Sequence, residues 1–380
     1  MDKLSELRNE INETDSQLTE LFEKRMRLVL EVAKYKEENG LPVLNASRER
    51  EILTRVTENQ GDELASYTKV LFTTLFDLSR SYQSRSLSQG SKLVSEIKQS
   101  TAGTQKVFPK GATVAVQGIE GANSQIACDR LFARPNITYM NSFDAVFMSV
   151  EKGLCEYGIL PIENSLHGSV IEVYDLMRKY RFHIAKGVKI KIDHVLLGKH
   201  GTVLGDIKEI FSMEQALGQC GEFLKNMKGV KITPCENTAI AAQKVAESER
   251  TDVAAIAGKS CSELYDLSVL CDDIQNNDNN YTRFICISKK IEIYPGANKT
   301  SLMFTVPHKP GSLYGIISKF SALGVNLTKL ESRPIPGRDF EFMFYADLEA
   351  DICDSGVLNL LAQLEAAAEK FVFLGSYLEI

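Results

Sequence analysis

The sequence predicts a multidomain protein with an all-helical N-terminal unit, a long α/β middle unit and an α+β, ferredoxin-like C-terminal unit. At 380 residues the chain is too long for one ordinary core. The first part has helical periodicity and no convincing strand, and from Ala112 short apolar strands alternate with helices. From Thr300 the pattern is β-α-β-β-α-β, which is the order of a ferredoxin-like fold.

Changes in composition set the expected boundaries. The helical unit covers 1–87, the α/β unit covers 111–290 and the ferredoxin-like unit covers 299–380. Residues 88–110 are polar, rich in Ser, Gln, Lys and Gly, and poor in large apolar side chains. That composition predicts a flexible linker. The middle unit is long enough to form two lobes.

Composition also restricts the partners. The net charge is −6, so bulk electrostatics draws the chain neither to nucleic acid nor to an acidic membrane. The charged N-terminus lacks a signal-peptide core, and no apolar run approaches the roughly 20 residues of a membrane span. The eight cysteines are scattered and the five histidines include no i, i+4 pair. We therefore expect reduced thiols, no metal site and a cytoplasmic protein.

The first helix carries charged side chains on its apolar face. In heptad register, one face contains Leu4, Arg8, Ile11, Asp15, Leu18, Phe22, Arg25, Val29, Val32 and Lys36. Buried cations are rare unless they are paired, although long stems can also carry the charge out to solvent. The pattern alone therefore leaves two interpretations: an anion site, or cations that reach water.

The spacing of these cations constrains an anion site. At 1.5 Å per residue, Arg8 lies about 25 Å from Arg25 on one helix, too far for a small dianion to contact both. Arg25 and Lys36 are about 16 Å apart, and their long side chains can converge on one ligand. If all three serve one site, Arg8 must come from a second chain, which implies an intertwined dimer of long helices.

The helical unit resembles the all-helical chorismate mutase family. The matching segments are LRNEI, EKRMRLVLEVAKYK, LPV followed by RERE, and the pair Ser79 and Gln83, all at the family's spacing. Ser79 and Gln83 by themselves favour the interpretation of a fraying helix end. The resemblance implies a site lined by Arg8 of the partner chain together with Arg25, Lys36, Arg48, Glu49, Ser79 and Gln83.

The chorismate mutase reaction is an intramolecular Claisen rearrangement. It requires a dianion held in one conformer and charge stabilisation on the breaking ether oxygen. The resemblance assigns Arg8 and Arg25 to the two carboxylates, since guanidinium groups bind carboxylates bidentately. It assigns Lys36 and Gln83 to the ether oxygen as catalytic residues, and Glu49 to the ring hydroxyl.

Three stretches of the middle unit place polar residues next to a strand: TVAVQGIEGANSQIA, YGILPIENSLHGSV and NNYTRFICI. Caps and turns explain Asn and Ser at such points, but ligands of open α/β sheets also bind at the carboxyl ends of strands. The glycine-rich turn offers backbone amides at a helix N-terminus to an anion. It lacks the GxGxxG pattern of a dinucleotide site.

Together with the SMEQALGQC, ENTAIAA and AAIA segments, these stretches resemble prephenate dehydratase over residues 112–290. The resemblance implies a two-lobed fold like that of periplasmic binding proteins, with lobes at 112–187 plus 275–290 and at 190–274. It implies that Thr282 is the proton donor to the leaving hydroxyl. The residues implied to shape the cleft and hold the carboxylates are Glu163, Asn164, Ser165, Ser212, Gln219 and Arg283.

The C-terminal unit resembles the ACT ligand-sensing domain. KPGSLYGII and NLTKLESRP match the two stretches that form the phenylalanine site of dehydratases. The resemblance implies an allosteric phenylalanine site formed by Gly311, Ser312, Leu313 and Tyr314 with Glu331, Ser332, Arg333 and Pro334.

The sequence departs from these family patterns at three places. Asn45 stands where the mutases commonly have Asp, which preserves a helix cap but puts a role in hydroxyl binding in question. Met213 and Glu214 replace the usual His-Pro of the dehydratases, so the local loop is in question. In GSLY, Ser312 and Tyr314 differ from the commoner pattern and can alter the affinity for phenylalanine.

The combined resemblance implies an enzyme with two activities and no cofactor. It would convert chorismate to prephenate and prephenate to phenylpyruvate under feedback by phenylalanine, as a homodimer or homotetramer. Two alternatives remain: a dehydratase that prefers arogenate, and an amino-acid-sensing binding protein without catalysis. The cations of the first helix and Thr282 argue against the second alternative, because a receptor needs no acid.

Overall fold

The computed structural model describes residues 3–41, 45–87, 91–335, 337 and 341–380. The chain begins with three helices, as predicted: α1 (Lys3–Glu38), α2 (Ala46–Thr57) and α3 (Asp62–Leu87). A turn with a left-handed Gly40 follows α1, while Pro42 of the predicted break lies outside the described residues. Both α1 and α2 pack against α3.

The helical unit has a small core of its own. Ala33 and Phe76 are its buried apolar side chains among the described residues. The N-terminal half of α1 instead leaves a stripe of apolar side chains about half exposed: Leu4, Leu7, Ile11, Leu18 and Leu21. Because so much apolar surface on one helix face is unusual, this face is a candidate contact surface.

The expectation of a flexible linker at 88–110 is wrong for most of that segment. A fourth helix, α4 (Lys92–Gly103), begins at Ser91, whose hydroxyl accepts a hydrogen bond from the backbone of Val94. Leu93 and Ile97, one helical turn apart, are buried in the core of the C-terminal unit. The segment is mostly polar, but it contains two apolar residues at helical spacing. Packing of these two side chains against another unit is enough to stabilise a short helix.

The first lobe of the middle unit is a six-stranded sheet of order β2-β1-β3-β11-β5, with a short β4 beside β3. Its elements are β1 (Thr113–Gln117), α5 (Asn123–Leu131), β2 (Asn136–Met140), α6 (Phe143–Glu151), β3 (Tyr157–Asn164), β4 (Gly168–Ser169), α7 (Ile171–Tyr180), β5 (His183–Lys191) and β11 (Tyr281–Ser288). Strand β1 runs parallel to β2 and β3, and β11 runs antiparallel to β3 and β5.

The second lobe is a five-stranded sheet of order β10-β6-β9-β7-β8. It contains β6 (His194–Gly198), a 3-10 turn at Leu204–Asp206, β7 (Glu209–Met213), α8 (Glu214–Gln219), α9 (Gly221–Asn226), β8 (Lys231–Cys235), α10 (Thr238–Glu247), β9 (Val253–Gly258), α11 (Ser260–Leu264) and β10 (Ser268–Cys271). The chain crosses between the lobes after β5 and again before β11. The two-lobe arrangement is confirmed, with the first crossing slightly later than predicted.

The C-terminal unit has the predicted ferredoxin-like order. Its elements are β12 (Lys299–Thr305), α12 (Ser312–Ala322), β13 (Asn326–Pro334), β14 (Phe342–Glu349), α13 (Ser355–Ala367) and β15 (Lys370–Tyr377). The strands form an antiparallel sheet of order β13-β14-β12-β15.

The C-terminal unit packs closely on the first lobe. Met303, Tyr345 and Tyr377 belong to the same buried apolar cluster as side chains of the first lobe. A Cβ added at Gly375 would lie 2.4 Å from the backbone oxygen of Ile184, so only glycine fits this contact. The two units therefore share one core. In the described part of the chain, no helix is long and apolar enough to span a membrane.

Candidate active sites

In the helical unit, three of the predicted site residues come together between α1 and α3. Ser79 and Gln83 are only 7% and 6% exposed, although they are polar and near the end of α3. Arg25 donates to the Ser79 hydroxyl and to the Leu75 carbonyl oxygen, the latter at 3.4 Å. Gln83 donates to the Val29 carbonyl oxygen at 3.3 Å. These side chains face the neighbouring helix, so the interpretation of a fraying helix end is wrong.

Arg25 is a partly buried cation in this group. Burial lowers the pKa of its guanidinium, which remains charged at neutral pH because its ordinary value is so high. Its centre lies 5.9 Å from the centroid of the Phe76 ring. Lys36 is half-buried in the last turn of α1. The C-terminal half of α1 thus carries two partly buried cations.

The remaining predicted residues of the helical unit are placed differently. Arg48 is exposed and pairs with Glu51 at 2.5 Å. The Glu49 carboxylate is bound by Arg80, a residue that the sequence analysis did not identify and that also binds Asp77. A ligand hydroxyl that donates a hydrogen bond to Glu49 must therefore share the carboxylate with Arg80.

Two observations at the edges of the helical unit agree with the sequence analysis. The Asn45 side-chain oxygen accepts a hydrogen bond from the Arg48 backbone at 3.0 Å, so the departure from Asp preserves the helix cap as expected. Arg8 is exposed on the N-terminal half of α1, about 25 Å along the helix from Arg25. One chain therefore does not bring Arg8 to the other cations.

The middle unit has a cavity of about 270 Å³ between its two lobes. Asn164 and Thr282 line it from the first lobe, and Gln219 and Asn237 line it from the second. Met213, at the position of the missing His-Pro, also lines this cavity. The site therefore combines residues that are more than 100 positions apart in the chain.

Asn164 and Thr282 are directly opposite each other on the paired strands β3 and β11. The Asn164 amide nitrogen donates to the Thr282 hydroxyl oxygen at 3.0 Å. Its carbonyl oxygen accepts from the backbone amides of Leu166 and His167, both at 3.0 Å. The Thr282 oxygen is thus an acceptor in this pair, which leaves its hydrogen available for another group.

Glu163 and Arg283 do not line the cavity, which corrects the expectation that they shape the cleft. Successive strand residues point to opposite faces of a sheet, so both side chains lie on the face away from Thr282. Arg283 donates to Asp347 at 2.5 Å, to the Tyr377 hydroxyl at 2.7 Å and to Glu379. Its longest contact is with Glu163, at 3.4 Å.

These contacts form a buried charge cluster between the first lobe and the C-terminal unit. Lys329 of the C-terminal unit donates to Glu163 at 2.6 Å and to the Ser169 hydroxyl at 2.7 Å. Burial works against the charge of Arg283, but Tyr377 and the two carboxylates outweigh it and raise the pKa of the guanidinium. Arg283 therefore stays charged and joins the two units.

Two predicted serines also have structural partners. Ser212 is fully buried and donates to the Ile256 carbonyl oxygen at 2.7 Å, which ties β7 to β9. This is a correction, because the residue was expected to hold substrate. Ser165 donates to the Asn279 carbonyl oxygen at 2.8 Å and accepts from the Tyr281 backbone at 2.9 Å. It fixes the loop that precedes Thr282.

Gln219 lines the cavity as predicted, and two residues that the sequence analysis missed hold it in place. Its side-chain oxygen accepts from Asn280 at 2.9 Å and is 3.1 Å from the Nε2 atom of His194. The doubled asparagine before YTRF was the available signal for Asn280. Nothing in the spacing of His194 distinguished it from the other histidines.

The two stretches expected to bind phenylalanine lie apart in one chain. Ser312 and Leu313 line a cavity of about 350 Å³ with Phe342 and Phe344. Tyr314 lies instead on a groove of about 960 Å³ between α12 and the helical unit. Neither lining includes a residue of 331–334.

The second of these stretches contacts the first lobe. Glu331 accepts a hydrogen bond from the Ser169 hydroxyl at 2.9 Å. Arg333 approaches Asp175 at 3.5 Å. This edge of the C-terminal unit is therefore occupied by contacts within the chain.

Comparisons with known proteins agree with this division of the chain. A family model described as chorismate mutase type II matches residues 7–84, and one described as prephenate dehydratase matches residues 114–292. A bifunctional chorismate mutase/prephenate dehydratase of Escherichia coli is 31% identical over 98% of this chain and 95% of its own length.

Two further relatives match about two thirds of the chain. A chloroplast arogenate dehydratase/prephenate dehydratase of Arabidopsis thaliana is 36% identical over 70% of this chain and 72% of its own length. The solved structure of an Arthrobacter aurescens prephenate dehydratase in complex with L-Phe has a TM-score of 0.64 and 29% identity. That match covers 70% of this chain and 89% of the other.

Proposed function

The chain belongs to the family of bifunctional chorismate mutase/prephenate dehydratases, and on this premise we propose which of its residues carry each activity. It converts chorismate to prephenate and prephenate to phenylpyruvate. We assign the dehydratase site on one observation: Thr282 pairs with Asn164 in the cleft between the two lobes.

The helical unit is the chorismate mutase. The rearrangement transfers no proton, so its site needs cations and donors in fixed positions. Arg25, oriented by Ser79, binds one substrate carboxylate, and Lys36 stabilises the negative charge on the ether oxygen. Gln83 donates a hydrogen bond to the same ether oxygen. Arg80 holds Glu49 in position to accept from the ring hydroxyl.

The mutase site is completed by a second copy of the chain. The apolar stripe on the N-terminal half of α1, described above, is exposed in one chain. Pairing of two such helices covers the stripe and brings Arg8 of one chain to the Arg25 and Lys36 of the other. A homodimer is therefore the smallest assembly with a complete mutase site.

In the dehydratase cleft, Thr282 is the proton donor. The bond between the ring and its carboxylate breaks and its electrons enter the ring, while the carbon–oxygen bond of the leaving hydroxyl breaks and CO₂ departs. The oxygen takes a proton from Thr282 and leaves as water, and the threonine oxygen regains a proton from solvent when the lobes open, so each turnover consumes one proton. Because Asn164 donates to Thr282, the threonine hydrogen is directed elsewhere, and lobe closure keeps solvent from the leaving group.

The anionic groups of the substrate need donors elsewhere in the cleft. Helix α5 begins in the glycine-rich turn, and Asn123 and Ser124 of its first turn line the cleft. Backbone amides at a helix N-terminus bind carboxylates well. We assign one carboxylate of prephenate to this turn and the other to Gln219.

The C-terminal unit senses phenylalanine and acts on the dehydratase. The Arthrobacter relative supports this role, since it was solved in complex with L-Phe. The charge cluster of Glu163, Arg283, Lys329, Asp347 and Glu379 gives the C-terminal unit a contact one residue away from Thr282 and Asn164. An effector that displaces Lys329 or Glu331 breaks their contacts with Glu163 and Ser169. Glu163 is next to Asn164, so this loss alters the position of the Asn164–Thr282 pair.

The working compartment is the cytoplasm. All eight cysteines have free thiols, which fits a reducing compartment.

The direct experiment is to supply chorismate to the purified chain and to follow prephenate and phenylpyruvate together, with and without phenylalanine. We expect both products, with phenylpyruvate lagging behind prephenate. Arogenate is supplied in a parallel reaction, because the Arabidopsis relative is named for both substrates. No consumption of chorismate contradicts the mutase assignment, and accumulation of prephenate alone contradicts the dehydratase assignment.

A further inference from the structure

Asn280 is a fully buried polar residue between the two lobes of the dehydratase. Its side-chain nitrogen donates to the Gln219 oxygen of the second lobe at 2.9 Å. Its side-chain oxygen accepts from the Asn164 nitrogen of the first lobe at 2.9 Å. It is therefore a donor to one cleft residue and an acceptor from another.

The orientation of each amide in this series of hydrogen bonds, from Asn164 through Asn280 to Gln219, is fixed by more than one partner. The Asn164 oxygen is bound by two backbone amides, so its nitrogen must face Asn280. The Gln219 oxygen is shared between Asn280 and His194. Since an oxygen that meets two donors cannot exchange places with the amide nitrogen, the Gln219 nitrogen is turned the other way.

His194 contacts Gln219, the second-lobe end of this series of hydrogen bonds. Burial lowers the pKa of its ring, so the imidazole is neutral and uses Nε2 to donate to Gln219. Its Nδ1 atom is buried and has no hydrogen-bond partner among the described residues. Its backbone amide donates to Gln275, which in turn donates to the Ile192 carbonyl oxygen where the chain passes between the lobes.

The result is a consistent pattern of donors in the cleft. Asn164, oriented by the two backbone amides, donates to both Thr282 and Asn280, so the Thr282 hydrogen is free for the substrate. Asn280 in turn donates to the Gln219 oxygen, which leaves the Gln219 nitrogen as the group that can donate to a ligand. A substrate with two carboxylates and a leaving hydroxyl needs donors at both places.

We propose that Asn280 is a positioning residue that sets the donor direction of Gln219 and holds the Asn164 amide in place beside Thr282. This inference rests on the proposed function of Thr282 as proton donor. Asn280 acts through these neighbours and does not itself contact the reacting atoms.

The test compares two variants of the full chain with prephenate as substrate. Asn280→Ala removes both hydrogen bonds and is expected to lower kcat at least about tenfold, because two partly buried amides in the cleft lose their partner. In Asn280→Asp, an ionised carboxylate repels the Gln219 oxygen, so the amide turns and KM rises about tenfold as well.

The pH dependence distinguishes positioning from mere structural support. A protonated carboxyl group can donate to Gln219 and accept from Asn164, as the Asn280 amide does. Burial raises the pKa of a carboxyl group above its usual value of about 4. Relative to the unchanged protein, Asn280→Asp should therefore recover kcat/KM as the pH falls from 8 towards about 5. Asn280→Ala should show no such recovery.

Controls keep the result interpretable. Asn279→Ala changes an exposed neighbour and should leave both kinetic constants within about twofold. The mutase activity of the same preparation reports whether the helical unit is folded, and circular dichroism of each variant reports whether the dehydratase lobes are folded. In a Gln219→Ala background, the further loss caused by Asn280→Ala should shrink, because one of its two partners is already missing.

Two outcomes overturn the proposal. One is an Asn280→Ala variant with unchanged kcat, and the other is an Asn280→Asp variant whose activity relative to the unchanged protein does not rise at lower pH. The proposed function has its own test, because a Thr282→Ala variant that still dehydrates prephenate contradicts the proton-donor role whatever Asn280 does.

Discussion

Thr282 and Arg283 are neighbours in the chain whose side chains serve different parts of the molecule. Thr282 faces the cleft beside Asn164, and Arg283 is enclosed by Asp347, Tyr377 and Glu379 of the C-terminal unit. The alternation of strand side chains is the physical reason. A single motif, YTRF, thus combines a residue that lines the cleft with a residue that joins two units.

A prediction at this scale separates cleft residues from buried supports. Ser212→Ala should leave KM for prephenate within about twofold, because its hydroxyl binds the Ile256 carbonyl oxygen inside the sheet. Gln219→Ala should raise KM about tenfold, since a donor to a carboxylate is lost. Steady-state kinetics of the two variants gives the comparison. An increase in KM for Ser212→Ala that equals that for Gln219→Ala would restore the original expectation for this serine.

The sequence indicates which residue types gather at the sites but not which way they point. The motifs predicted Thr282, Asn164 and Gln219 correctly as cleft residues. They also predicted Glu163 and Arg283 as cleft residues. A motif does not show which of its side chains point to which face of the sheet until the strand register is known. The hydrogen bonds of Asn280 depend on contacts between two lobes, and no local pattern encodes those contacts.

At the scale of single elements, α4 differs most from expectation. Long-range packing against α13 outweighs the linker-like composition of this segment. Regular elements with strong periodicity, such as α1 and the strands of the ferredoxin-like unit, could be predicted because their patterns are local. A short helix that depends on a distant surface could not.

The packing of α4 can be tested with two variants on the same helix. Ile97 is 1% exposed, so Ile97→Ala should lower the free energy of unfolding of the C-terminal unit by about 2–5 kcal/mol. Lys98→Ala changes the exposed neighbour and should alter it by less than about 0.5 kcal/mol. Urea unfolding followed by circular dichroism measures both. Equal stability of the two variants would mean that α4 does not pack as described.

Helix α1 gives a second prediction for one element. Arg8→Ala and Lys36→Ala should each abolish mutase activity, because each removes one cation of the shared site. An equal mixture of the two should regain about a quarter of the activity, since half of the dimers are mixed and each mixed dimer has one complete site. Mass spectrometry of the mixture verifies that chains have exchanged.

The matched control for this experiment is a mixture of Lys36→Ala with Gln83→Ala. Both changes fall in the part of the site that one chain supplies, so no combination of these chains yields a complete site. Recovery in this control, or none in the first mixture after confirmed exchange, would contradict the shared site.

At the scale of the whole molecule, the C-terminal unit contacts both catalytic units. It shares a core and a charge cluster with the first lobe. It also approaches the helical unit, where burial lowers the pKa of Lys319 against the opposing effect of the Asp77 carboxylate. Removal of this unit would expose the shared core, so point variants are better probes of control than truncation.

Phenylalanine should lower the dehydratase activity more than the mutase activity. The charge cluster reaches the residues next to Thr282. A sensor acts only through a state that it binds differently, and the opening of the two lobes is such a state. The measurement is a titration of phenylalanine with each activity assayed separately.

Ser312→Ala should change the phenylalanine concentration for half-inhibition without changing uninhibited turnover. Its hydroxyl lies at the start of α12, on the rim of the cavity in the C-terminal unit. Inhibition that falls only on the mutase, or that is identical in this variant, would argue against control from this unit.

The central claim is that one chain carries two separate sites for consecutive reactions. The most direct measurement supplies chorismate to Lys36→Ala, to Thr282→Ala and to their mixture, and follows prephenate and phenylpyruvate. We predict that Lys36→Ala consumes no chorismate but still dehydrates added prephenate, and that Thr282→Ala stops at prephenate. The mixture should produce phenylpyruvate. A folded variant that loses both activities, or a mixture that makes no phenylpyruvate, would contradict the claim.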